Sequence, residues 1–207
     1  MSQIPEVHRA QSSPGRDRVS RASSILLGVL SVEIAVLVVT GIALWFLYRP
    51  TAHQAWADVL TESYDWDVGI GFGLRLVHRL ASGFAVPTAL AVGIVLALPR
   101  WEHARRWGAT ALGAGIAVTT LAASFTGFLL PWDQLALWSV TVGSIIRGYS
   151  VLFGPTVRFA IVGGVEVSPE TLILWLLVHS LLLGPLLVGL VVFAWRRAWY
   201  EPEELVQ

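Results

Sequence analysis

Residues 69–98 read GIGFGLRLVHRLASGFAVPTALAVGIVLAL. The run exceeds the roughly 20 helical residues that cross a hydrocarbon core. Yet it carries a histidine and two arginines, His78 with Arg75 and Arg79. Ionisable groups inside such a run are costly and mark function by default. Working outward, three further apolar runs have spanning length, at about Ser24–Leu47, Thr110–Leu130 and Thr171–Trp195. The last contains His179, the only other histidine of the five that falls inside a span.

The composition agrees with that reading. The chain has 207 residues, of which 55% are hydrophobic, and a mean hydropathy of +0.67. Packed into four blocks, this predicts an all-α membrane protein: a four-helix transmembrane bundle with short surface helices in the third-to-fourth connection. The first block is too long and starts too far in for a cleavable signal, so it is expected to stay. Cysteine is absent, which excludes iron–sulfur clusters, disulfides and thioether-linked haem in this chain. All fourteen basic residues are arginine and net charge is zero. No basic stripe points to nucleic acid.

Arginine placement sets the expected orientation. Arg9, Arg16, Arg18 and Arg21 precede the first span, Arg100, Arg105 and Arg106 lie between the second and third, and Arg196 and Arg197 follow the fourth. The other two connections hold Arg49, Arg147 and Arg158 against Asp58, Glu62, Asp65, Asp67, Glu166 and Glu170. Both termini are therefore expected in the cytoplasm, with the protein in the cytoplasmic membrane. Residues 1–23 read as a flexible cytoplasmic tail, 24–200 as the transmembrane domain and 201–207 as an acidic tail. The Tyr48–Val68 connection is outside and aromatic-rich. Pro131–Glu170, broken by Gly and Pro, suits short helices lying along the outer surface.

Depth then links the two histidines. Both host helices enter from outside, and His78 and His179 each lie about eight or nine residues in, roughly 12–14 Å below the outer surface. Two nitrogen ligands at one level suit one b-type haem. Two unrelated core histidines joining helices would look the same, so that alternative stays open here. Gly41 and Gly127 are level with the histidines and would let a flat macrocycle approach the backbone. Gly28 and Gly113 lie nearer the cytoplasm.

At these residues the chain resembles the N-terminal, haem-bearing half of cytochrome b from quinol-oxidising bc-type complexes. The clearest stretch is FTGFLLPWDQLALWSVTVG at 125–143, with LRLVHR at 74–79 and LLVHS at 176–180. The ligand separation, 179 − 78 = 101 residues, also suits the family. The resemblance implies one haem b ligated by His78 and His179, with Arg75 paired to a propionate and Arg79 beside it. Gly41 and Gly127 would line the haem. Asp133 and Gln134 fall in the stretch resembling the quinol pocket, where they contact quinol or cap the following surface helix. Quinone is the second implied cofactor. Implied partners are membrane lipid, a separate chain resembling the C-terminal half of cytochrome b, a Rieske or cytochrome c-type protein, and a homodimer of complexes.

The departures alter the expected mechanism. The family places a second histidine fourteen residues after each of the first two, for a second haem. Here those positions are Val92 and Phe193, which cannot ligate iron. That inner region is expected to be closed, with Phe193 and Val92 filling it and Gly28 and Gly113 packing helices. Electron transfer between quinol and an outer-face partner through one haem is the reading this leaves, within a respiratory or photosynthetic-type complex. A scaffold subunit that keeps the fold without haem is the competing reading. Glu33, the one acid inside a span, is a candidate for proton or quinone chemistry. His53 reads as a solvent-facing residue, and Pro87 and Pro185 are expected to kink their helices.

Overall fold

The four apolar runs become four long helical segments in the computed structural model, which describes residues 14–64, 69–98, 103–141 and 168–199. The first three spans are α1 (Pro14–Leu47), α3 (Gly69–Ala97) and α4 (His103–Leu129). Two shorter helices, α2 (Ala52–Tyr64) and α5 (Gln134–Thr141), lie at one end of the bundle. The fourth span is composite: α6 (Pro169–Leu177), a π-helical turn (Val178–Leu183) and α7 (Gly184–Trp199). Neighbours run in a ring, α1 on α3, α3 on α4, α4 on α7 and α7 back on α1. No strand occurs among the described residues. The protein is an all-α, multi-pass membrane protein.

Three local differences from the sequence reading have clear causes. α1 starts at Pro14, ahead of its apolar run, because proline suits a first turn and backbone bonding continues through polar residues. The Tyr48–Val68 connection contains α2, which a capping box announces. Thr51 Oγ1 accepts from the Gln54 N–H at 3.3 Å and lies 3.3 Å from the Gln54 side-chain oxygen, the Thr-x-x-Gln pattern. The break at Pro185 takes the form of a widened turn. Proline cannot donate to the carbonyl four residues back, and the Gly184 N–H reaches five residues back to His179 O. Pro87 lies within an uninterrupted α3. Of the third-to-fourth connection, α5 is observed; residues 142–167 and both chain ends lie outside the described residues.

Two packed clusters hold the bundle. One joins Leu27, Leu30, Ile34, Ala85, Ala89, Val92, Leu96, Leu112, Ile116, Leu187, Val191 and Ala194, in the half nearer the chain ends. The other joins Ala55, Leu129, Ala136, Val140, Leu172 and Trp175 beneath α2 and α5. Between them lies a layer, residues 35–47, 69–84, 117–128 and 176–186, that contributes no fully buried apolar side chain. Both span histidines are in that layer.

Candidate functional site

His78 on α3 and His179 on the π turn face each other with ring centroids 6.3 Å apart and planes at 62°. Each Nδ1 is already engaged. His179 Nδ1 donates to the Ala123 carbonyl at 2.9 Å; a carbonyl only accepts, so the proton is on Nδ1 and Nε2 keeps its lone pair. Thr126 Oγ1 lies 3.1 Å from the same nitrogen. His78 Nδ1 meets Thr40 Oγ1 at 2.8 Å. Thr40 Oγ1 has Val36 O at 2.7 Å as an acceptor for its own hydrogen, and the His78 ring also bonds the Leu37 carbonyl, an arrangement in which Thr40 accepts from Nδ1–H. Both rings thus carry their proton on Nδ1.

The remaining nitrogens suit a metal that brings its own in-plane ligands. Two metal–imidazole bonds of about 2 Å, plus the offset from each nitrogen to its ring centre, give a centroid separation of about 6 Å. Among the described residues no group of three His, Cys, Asp or Glu side chains exists that could complete a protein-only metal site. The surrounding layer contributes no fully buried apolar side chain of its own, so a macrocycle would supply contacts that the side chains do not. The residues present fit a b-type haem at this level.

The glycines lie directly against the histidine rings. A Cβ on Gly41 would stand 3.2 Å from His78 Cε1, and one on Gly127 only 2.8 Å from His179 Cε1. They make room for the imidazoles themselves. Thr40 and Thr126, one residue before each glycine, went unnoticed in the sequence. The repeated Thr-Gly pair at one depth on two helices was the available signal.

The arginines part company. Arg75 is half-buried while Arg79 is exposed. Arg75 acts electrostatically on Tyr48, whose hydroxyl donates to Leu130 O at 2.7 Å. Burial raises the Tyr48 phenol above its ordinary range, with Arg75 pulling the other way. Asp133 is the cap of α5: its Oδ1 accepts from the Ala136 N–H at 2.9 Å. Gln134 accepts from Trp138 Nε1 at 3.2 Å. Both also line a cavity of about 350 Å³ between α2 and α5, with His53, Trp56 and Trp132 on its walls. His53, read as unremarkable, therefore shares a cavity with Asp133. Trp132 has φ 50°, a left-handed backbone uncommon for so bulky a residue, and its ring lies 5.8 Å from that of Trp175.

In the other half, Val92 is 1% exposed and belongs to the packed cluster, as expected. Phe193 does not: it is 55% exposed on the bundle surface. The π turn adds a residue to the helix between His179 and this level, so the inward position moves on by one, to Ala194, which is 3% exposed. Gly28 also differs from expectation, for a Cβ there would meet nothing within 4 Å. Gly113 instead crosses Gly93, where an added Cβ would stand 3.0 Å from Gly93 Cα. Neither Val92 nor Ala194 can ligate iron, and both lie in the packed apolar cluster. Glu33 Oε1 accepts from Thr88 Oγ1 at 3.1 Å, and Glu33 Oε2 is buried without a hydrogen-bond partner among the described residues.

The family model described as Cytochrome b/b6/petB matches residues 18–195. The chain belongs to the cytochrome b family. It is 32% identical over 163 residues to cytochrome b6 of Stigeoclonium helveticum, covering 78% of this chain and 74% of that protein. With cytochrome b6 of Tupiella akineta the identity is 30% over 167 residues, 81% of this chain and 76% of the other. With that of Heliobacterium modesticaldum it is 28% over 154 residues, 74% and 71%. A solved chain of a hyperthermophilic respiratory Complex III superposes with a TM-score of 0.68 at 20% identity. That match covers 88% of this chain and 51% of the solved one, so the chain spans about half its length. Membership makes this a membrane subunit of the electron-transferring, haem-b-binding kind found in bc-type complexes.

Proposed function

We propose that this chain is a single-haem b-type cytochrome subunit that carries electrons between a quinol and a partner at the α5 end, which we assign to the outer membrane face. The observation that carries the proposal is the facing pair, His78 and His179, each with Nδ1 engaged and Nε2 available. A haem bound there would supply one-electron chemistry. His78 and His179 would hold it, and Gly41 and Gly127 let the rings reach their positions. Arg75, one turn from His78 toward the outer end, offers a propionate a guanidinium that is only half solvated. Arg79, exposed, suits lipid headgroups.

Asp133 and Gln134 border the aromatic cavity in which a quinol head would find acceptors, and His53 adds a proton acceptor opposite them. A separate chain resembling the C-terminal half of cytochrome b, with a Rieske or cytochrome c-type protein, would complete the assembly. Both termini lie in the cytoplasm, as the arginine bias requires. Purified protein should give one non-covalent haem per chain by pyridine haemochrome and a low-spin bis-imidazole spectrum; two haems per chain would overturn the reading. The chain has no native cysteine, so orientation is tested by single cysteines. One at Ser63 should react with an impermeant thiol reagent in whole cells, and one at Ser12 should not.

A further inference from the structure

The two histidines are gripped by one device used twice. On α1 it is Leu37, Thr40 and Gly41; on α4 it is Ala123, Thr126 and Gly127. Both sets follow the spacing i, i+3, i+4, so each presents a single patch of helix surface. The first residue offers its backbone carbonyl to the imidazole, Leu37 to His78 and Ala123 to His179. The second offers a hydroxyl oxygen to Nδ1, at 2.8 Å for Thr40 and 3.1 Å for Thr126. The third has no Cβ where the ring passes. Each threonine sends its own hydrogen back to the carbonyl four residues earlier, Val36 at 2.7 Å and Ala122 at 2.9 Å. With those carbonyls taking the hydroxyl hydrogens, both threonine oxygens are placed to accept from Nδ1–H.

From this duplicated cradle, and resting on the haem reading, we propose that Thr40 and Thr126 are positioning residues that set ring orientation and the redox potential of the iron, with Thr40 the stronger. An acceptor on Nδ1–H pushes electron density toward Nε2 and makes it a better ligand, which favours ferric over ferrous iron. The two sides are unequal. At His78 the threonine bond is 2.8 Å. At His179 the Ala123 carbonyl, at 2.9 Å, is closer than Thr126. Each loss leaves a backbone carbonyl behind, Leu37 or Ala123, but Thr40 takes away a 2.8 Å contact and Thr126 only a 3.1 Å one. A merely structural role is the opposing case, because threonines in apolar helices commonly bond back to their own carbonyls with no further task.

The experiment is an optical redox titration and a low-spin electron paramagnetic resonance spectrum on membranes carrying Thr40→Val, Thr126→Val and Thr40→Ser. Valine keeps the shape and cannot accept, so Thr40→Val should shift the midpoint potential positive and move the largest g value, which reports relative ring orientation. Thr126→Val should shift the potential the same way by less, and Thr40→Ser should restore wild-type values. Wild-type potential and spectrum in Thr40→Val would overturn the proposal, as would a Thr40→Ser shift as large as that of valine. If Thr40→Val binds no haem, serine decides. Haem at the wild-type potential supports the proposal, and its loss assigns the residue to packing instead. A wild-type chain with no bis-imidazole spectrum overturns the haem reading itself, before any variant is compared.

Discussion

In the half of the bundle that carries both chain ends, α1, α3, α4 and α7 meet through Leu30, Val92, Ile116 and Val191, and even the polar Trp195 Nε1 is paired, donating to Ser31 Oγ at 2.9 Å. In the histidine layer the same four-helix ring meets through threonine, glycine and imidazole, with no fully buried apolar side chain. Lipid tails are as apolar as leucine, so neither half is driven together by water exclusion; close packing and internal hydrogen bonds do it. The first half achieves this with its own side chains, including a Gly93–Gly113 crossing. In the second, on the proposed reading, a flat prosthetic group would complete the contacts. On that reading one topology packs against itself at one depth and would hold a cofactor at another.

The largest expected effect falls on the clamp. His179→Ala or His78→Ala should abolish the bis-imidazole spectrum while the protein still inserts, measured by absorbance against immunodetected chain in membranes. An unchanged spectrum would erase the distinction between the halves. Gly127→Ala comes next, since its methyl would stand 2.8 Å from His179 Cε1. Haem content should drop several-fold, and less in Gly41→Ala, where the corresponding distance is 3.2 Å. Equal haem content in both variants would mean that the backbone yields freely at this layer.

The packed half should respond in stability and not in colour. Ile116 is fully buried. Replacing it with alanine should cost about 2 kcal/mol, the low end for such truncations because membrane-exposed chains are already in an apolar solvent. Denaturant-driven loss of helicity should report this, with the haem spectrum unmoved. The smallest expected change is in Val92→His with Ala194→His, which supplies two ligands at inward positions. Haem per chain should stay at one, because both positions sit in a closely packed apolar cluster that would have to be displaced. Two haems in that variant would show the packed half to be a cofactor site lacking only its ligands.

Much of this was legible in the sequence. Hydropathy located the four spans, and counting residues at 1.5 Å each put His78 and His179 at a common depth, where their rings do meet. The family resemblance of the FTGFLLPWDQ stretch stands with the family match over 18–195. α2 is carried in the sequence only by the Thr51 and Gln54 capping signature, because a short surface helix has no long apolar run to mark it.

Other features depended on register. A count of fourteen residues from His179 arrives at Phe193, and only the π turn reveals that the inward position is Ala194. That turn is a long-range consequence: Pro185 removes one donor, and the contacts of His179 with Ala123 and Thr126 fix which way the widened segment faces. Likewise, the glycines could be seen at the right depth, yet whether each faced a ring, another helix or nothing was undetermined. Sequence by itself determined composition, span and depth, because these accumulate along one helix axis. Azimuth was decided only by tertiary structure, because the direction a residue faces depends on the hydrogen-bond pattern of its own helix and on the partner packed against it.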